Sequence, residues 1–100
     1  MAISGKWKGV IKSPMGPMNV LLDIIERKDG TLEGTASDKR QSMVIEDGLI
    51  KGDVFSWVFN MKGIMSMKLE INGTVECDRL NATVTIAKRG KFPLTADRMT

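Results

Sequence analysis

The chain has 100 residues, 42% of them hydrophobic, and sets 15 Lys and Arg against 12 Asp and Glu, the proportions of one small folded domain with a mild basic excess. It contains no His and no Tyr, which removes imidazole metal sites, His-based catalytic triads and tyrosine acids. Its single Cys closes no intrachain disulfide and builds no thiolate cluster, and Val20 to Leu22, as long an apolar run as any, falls far short of the roughly 18 residues that cross a bilayer.

No stretch sustains a helical apolar period, whereas alternation with a period of two recurs between turn residues. The pattern predicts strands over 5–12, 17–27, 31–37, 42–46, 49–60, 64–72, 74–80, 82–88 and 92–98. In the first, Trp7 and Ile11 share one side and Lys6, Lys8 and Lys12 the other. Pro14 to Pro17 makes a reversal, because proline cannot donate to a ladder. In the second strand Met18, Val20, Leu22 and Ile24 share a face, while Leu21 and Ile25 alternate with Asn19, Asp23 and Arg27. Asp29-Gly30, Asp47-Gly48 and Asn72-Gly73 carry the residues that tight hairpins place at positive φ.

Further along, Phe55, Trp57, Phe59 and Met61 form one row and Met65, Met67, Leu69 and Ile71 the next. Lys62-Gly63 and Arg89-Gly90 supply further reversals. Cys77 alternates with Val75 and Arg79, so it reads as a sheet residue, and no His is present to activate it. Connections this short leave no room for crossover helices, so neighbouring strands are antiparallel. The expected fold is all-β, an up-and-down meander of eight or nine strands closed into a small barrel, with Gly34 and Gly73 permitting sharp curvature.

Gly5-x-Trp7 on the first strand, with Arg98 near the end of the last, resembles the calycin superfamily, the lipocalins and fatty-acid-binding proteins in particular. That resemblance implies barrel closure at one end by Gly5, Trp7 and Arg98, the arginine packing across the indole in a structural role. The chain is shorter than calycins usually are, which points to a nearly filled interior or to a dimer that supplies extra pocket walls. It offers no segment for the helical lid of fatty-acid-binding proteins, so none of their carboxylate-binding residues is carried over.

Eight methionines supply soft, adaptable apolar surface. The first functional expectation is binding of a small apolar or amphipathic molecule inside the barrel, with Met18, Leu22, Trp57, Phe59, Met65 and Met67 as the wall. A second is a cofactor-independent isomerase, cyclase or hydrolase using Asp23 or Glu33 as base and Arg27 or Arg98 as anion clamp. A third is a homo-oligomeric interaction module, a dimer first, presenting Leu21, Ile25, Val54 and Val58. Nucleotide-binding and metal motifs are absent, so no cofactor or metal is expected. Lys6, Lys8 and Lys12, and Lys88, Arg89 and Lys91, read as solvated edges, so nucleic acid is not an expected partner. A cytoplasmic location is expected from the cysteine usage and the lack of an apolar leader.

Overall fold

A computed structural model describes residues 3–14, 16–38, 42–61, 67–87 and 89–99, the side chain of Met61 excepted. Within them lie strands β1 (Gly5–Ser13), β2 (Gly16–Glu26), β3 (Thr31–Ser37), β4 (Ser42–Val44), β5 (Glu46–Lys51), β6 (Val54–Met61), β7 (Met67–Glu76), β8 (Arg79–Ile86) and β9 (Gly90–Met99). The expected reversal at Lys62-Gly63 and the positions Met15, Met65 and Lys88 fall outside the described residues.

All pairings are antiparallel, and they close. β1 pairs with β2 and β9, β2 with β3, β3 with β5, and β5 through β9 follow one another, which makes a ring of eight strands. The ninth, β4, attaches to β3 outside that ring, with Thr35 opposite Val44 and Ser37 opposite Ser42. Closure leaves few free edges, which is how a short all-β chain satisfies its backbone groups.

Several expected boundaries move: the run 42–46 ends at Val44, and the runs 74–80 and 82–88 become the end of β7 and the continuous β8. The run 49–60 is two strands, reversed at Gly52-Asp53, where Gly52 takes a φ of 62°. Asp47 does take a positive φ of 53°, but within β5 and beside the register shift between Glu46 and Leu49, so Asp47-Gly48 forms a bulge opposite Trp57 and not a hairpin. Asn72-Gly73 runs through the middle of β7, where a Cβ on residue 73 would lie 2.6 Å from that of Ala82, so this glycine answers a close strand approach. The reversal after β7 comes at Cys77-Asp78, which makes Cys77 an exposed turn residue and not a member of a sheet face.

Alternation sends one side of each strand inward. Trp7, Leu22, Ile24, Leu32, Phe55, Trp57, Phe59, Ile71, Leu80, Val84 and Leu94 are all buried, and the fully buried side chains among the described residues are without exception apolar. Each large one contributes about 1.5–3 kcal/mol of burial. Gly34 shows what closure demands of the backbone: its φ is +149°, and a Cβ there would fall 1.8 Å from the Asp23 carbonyl oxygen on β2. No side chain fits at that crossing.

The outward rows carry the remaining aliphatics. Leu21, Ile25, Leu49 and Val54 are about half exposed on the outer wall, where Thr31, Glu33 and Ser56 lie among them on β3 and β6. No helix of the described residues is long and apolar enough to cross a membrane.

Candidate functional site

The two ends of the barrel differ. At one end, where β1 begins and β9 finishes, Ile3 and Trp7 are completely buried. The Trp7 Nε1–H donates to the Ile3 carbonyl at 3.0 Å, which pulls the segment before β1 across the opening. Arg98 lies over the indole, its Cζ 4.2 Å from the ring centroid. Its Nη1 donates to the Ser4 carbonyl at 2.6 Å and its Nε to Asp78 Oδ1 at 3.0 Å. The Glu26 amide donates to Ser4 Oγ at 2.8 Å. Chain entry, the β7–β8 turn, β2 and β9 are thereby tied over one indole, and the cation over its face is worth about 1–2 kcal/mol in such a desolvated place.

At the opposite end the interior is not filled. Ile11, Val20, Ala36, Met43, Leu69, Val84, Ile86 and Phe92 surround a cavity of about 210 Å³, with Met18, Met67, Ser13, Ser37 and Asp38 at its rim. Each wall residue occupies an inward position of a different strand or the next inward position along it. The space exists because Ala36, Val20 and Val84 face one another where the other half of the barrel holds Phe55, Trp57 and Phe59. Deeper in lies a void of about 20 Å³ beside Leu22, Phe59, Ile71 and Leu94. The site is an apolar cup, plugged by Trp7 and its neighbours at the far end.

Of the six expected wall residues, Met18 and Met67 line the rim, and Met18 is 48% exposed. Leu22 and Phe59 lie beneath the cup against the small void. Trp57 is buried and stacked on Phe55 at 5.0 Å between centroids, on neither the cup nor the void. Met65 lies outside the described residues. The wall residues outside that expected set are Ile11, Val20, Ala36, Met43, Leu69, Val84, Ile86 and Phe92. Their signal was inward register, joined at Ala36 and Met43 to a small or flexible side chain.

The acid and base candidates stand elsewhere. Asp23 and Glu33 are exposed on the outer wall, and Glu33 accepts a hydrogen bond from the Arg27 guanidinium across the β2–β3 hairpin. Asp23 lies in a shallow outer groove with Lys6, Leu21 and Thr35. Neither these two carboxylates nor Arg27 lines the cup, and no charged side chain of the described residues lies below its rim. No cluster of three or more Cys, Asp or Glu among those residues has metal-binding geometry. Asp29, in the β2–β3 turn, is held below the ordinary carboxylate range, first by the Thr31 hydroxyl and then by the Thr31 amide, both donating to Oδ1.

No family model matches the chain, and no curated protein does. Among solved structures, a chain described as a redesigned beta barrel superposes with a TM-score of 0.78 over 99% of this chain and 93% of its own length, at 15% sequence identity. At that identity the likeness is one of fold. The chain is a closed antiparallel β-barrel of eight strands with a ninth attached outside.

Proposed function

We propose that the protein binds a small apolar or amphipathic molecule in the cup at the open end of the barrel. The observation that supports this reading is the asymmetry of the interior: dense packing around Trp7 and Phe55, and a 210 Å³ apolar cavity ringed by Val20, Ala36, Val84 and Phe92. Filling the whole barrel would be more stable, since an apolar void costs roughly 24 cal/mol per Å³. A cavity of about 150 Å³ lined by aliphatic residues holds benzene, so this one suits a body about one ring larger or a medium alkyl chain. It is smaller than the roughly 300–1,000 Å³ typical of drug-sized ligands.

The test is calorimetric titration with naphthalene and octanol, both uncharged. About ten ligand atoms at roughly 0.7 kcal/mol each, between the bounds for very small and drug-sized ligands, give a Kd on the order of 10 µM. Ala36→Leu, which places three extra carbons in the cup, reduces that affinity about tenfold or more while the barrel stays folded. Absence of binding by either compound, or binding unaffected by Ala36→Leu, removes the cup as the site.

A further inference from the structure

We infer that the molecule held in the cup is an amphipathic anion, its apolar body inside the barrel and its carboxylate, sulfonate or phosphate at the rim beside Lys12, Arg89 and Lys91. This rests on the reading of the cup as a binding site and adds the chemistry of the ligand's head group. The three cations are anchored to the cup's own lining. Lys12 stands between Ile11 and Ser13, Lys91 precedes Phe92, and the Arg89 amide donates to the Ile86 carbonyl at 3.0 Å. They form one arc, on the end of β1 and on the start of β9 and the turn before it, and β1 and β9 are paired neighbours.

All three are exposed, and none takes part in an ion pair among the described residues, whereas the arginines Arg27, Arg79 and Arg98 are neutralised by Glu33, Asp97 and Asp78. The strand ends at the plugged end add the carboxylates of Asp29, Asp53 and Glu76. Among the described residues of the cup lining the one carboxylate is Asp38, which follows β3 and is separated from the cationic arc by β2. Among the described residues, positive charge is therefore concentrated at the mouth of the apolar cavity and balanced at the other end. An amphiphile entering body first leaves its head where that field is strongest, and a cation there loses little hydration because it stays in water.

Octanoate, octanol and octylammonium share one apolar body and differ in head charge, so titrating each into the intact protein separates the two contributions. Octanoate is expected to bind about three- to tenfold tighter than octanol and octylammonium to bind more weakly than either, with the octanoate advantage shrinking as sodium chloride is added. In the Lys12→Gln/Lys91→Gln variant the ratio of octanoate to octanol affinity falls to about one, and Lys12→Arg/Lys91→Arg restores it. Phosphatidylglycerol vesicles distinguish the sources of such an amphiphile: octanoate binding without co-sedimentation assigns a free solute, and co-sedimentation that octanoate competes away assigns a membrane lipid. Equal affinity for octanoate and octanol, or an octanoate advantage that survives the glutamine variant, overturns the anion assignment while leaving the cup intact. Failure of all three to bind removes the cup as well.

Discussion

Gly5 leaves vacant the space that the Arg98 guanidinium occupies: a Cβ on residue 5 would lie 2.8 Å from Nη1, at a backbone φ of +134°. The glycine of the Gly5-x-Trp7 element thus serves the arginine, and the arginine serves the indole. Gly5→Ala is expected to cost about 1–3 kcal/mol, from strained backbone and a displaced guanidinium together. Arg98→Met, which keeps an apolar stem over Trp7 and removes the charge, should cost about 1–2 kcal/mol. Most of that loss comes from Trp7 and the Ser4 carbonyl, because Asp78 is largely exposed and its ion pair is screened. Since both changes act through one guanidinium, the double variant should fall short of the sum in urea unfolding. Strict additivity would show that Gly5 and Arg98 act separately.

Cys77 takes a φ of 51° in the β7–β8 turn. A residue with a Cβ in that region is strained by roughly 1 kcal/mol, and glycine is not. Cys77→Gly should therefore raise the urea midpoint by the equivalent of about 0.5–1 kcal/mol, whereas replacement of the ordinary strand residue Thr83 by Gly should lower it. A destabilised Cys77→Gly would mean that the thiol makes a compensating contact.

That same turn shows where the sequence was legible and where it was not. Alternation placed Trp7, Leu22, Phe55, Trp57 and Leu69 inside correctly, because a period of two has only two faces and one of them is uniformly apolar. Turn assignment was weaker, since positive φ is a demand that several structures share. Asp47-Gly48 meets it in a bulge, Cys77 meets it with no glycine to announce it, and Gly73 is present for closeness to Ala82. The cup was the least legible feature. A void is a shortfall of volume summed over β1, β2, β3, β4, β7, β8 and β9, and single-strand patterns do not carry that sum. Large aromatics were therefore expected in the wall, although Phe59 lies beneath the cup and Trp57 away from it, and small Ala36 and Val84 create it.

Asp29 should make the β2–β3 hairpin sensitive to acid. Its folded carboxyl is held below the ordinary value of 3.8, chiefly by the Thr31 hydroxyl and next by the Thr31 amide. A depressed carboxyl stabilises the fold above its unfolded pKa, and that contribution is lost as pH falls through the folded value. Relative to Asp29→Ala, the native protein should thus hold a constant advantage from neutral pH to about pH 5 and lose it progressively between about pH 4 and pH 2. The difference in urea midpoints across that range is the measurement. A gap that stays constant down to about pH 2 would show that the hairpin does not depend on ionised Asp29.

The two tryptophans should respond unequally to the same change. Trp7 and Trp57 are both buried, but the Trp7 Nε1–H is bonded to the Ile3 carbonyl while Trp57 Nε1 is buried without a partner among the described residues. Replacement by Phe removes similar apolar volume from each site, a loss of about 1–2 kcal/mol. At Trp57 the change also removes an unsatisfied donor that costs about 1–3 kcal/mol, so the two effects nearly cancel. The Phe ring keeps the stack on Phe55 and the edge contact to Phe59 at 6.1 Å. At Trp7 the change instead strands the Ile3 carbonyl and gives Arg98 a poorer ring, so the losses add. Trp57→Phe should lie within about 1 kcal/mol of the native protein in urea unfolding, and Trp7→Phe should cost about 3 kcal/mol. Equal losses would mean that the Trp57 N–H is satisfied in solution, most simply by a water held inside the wall.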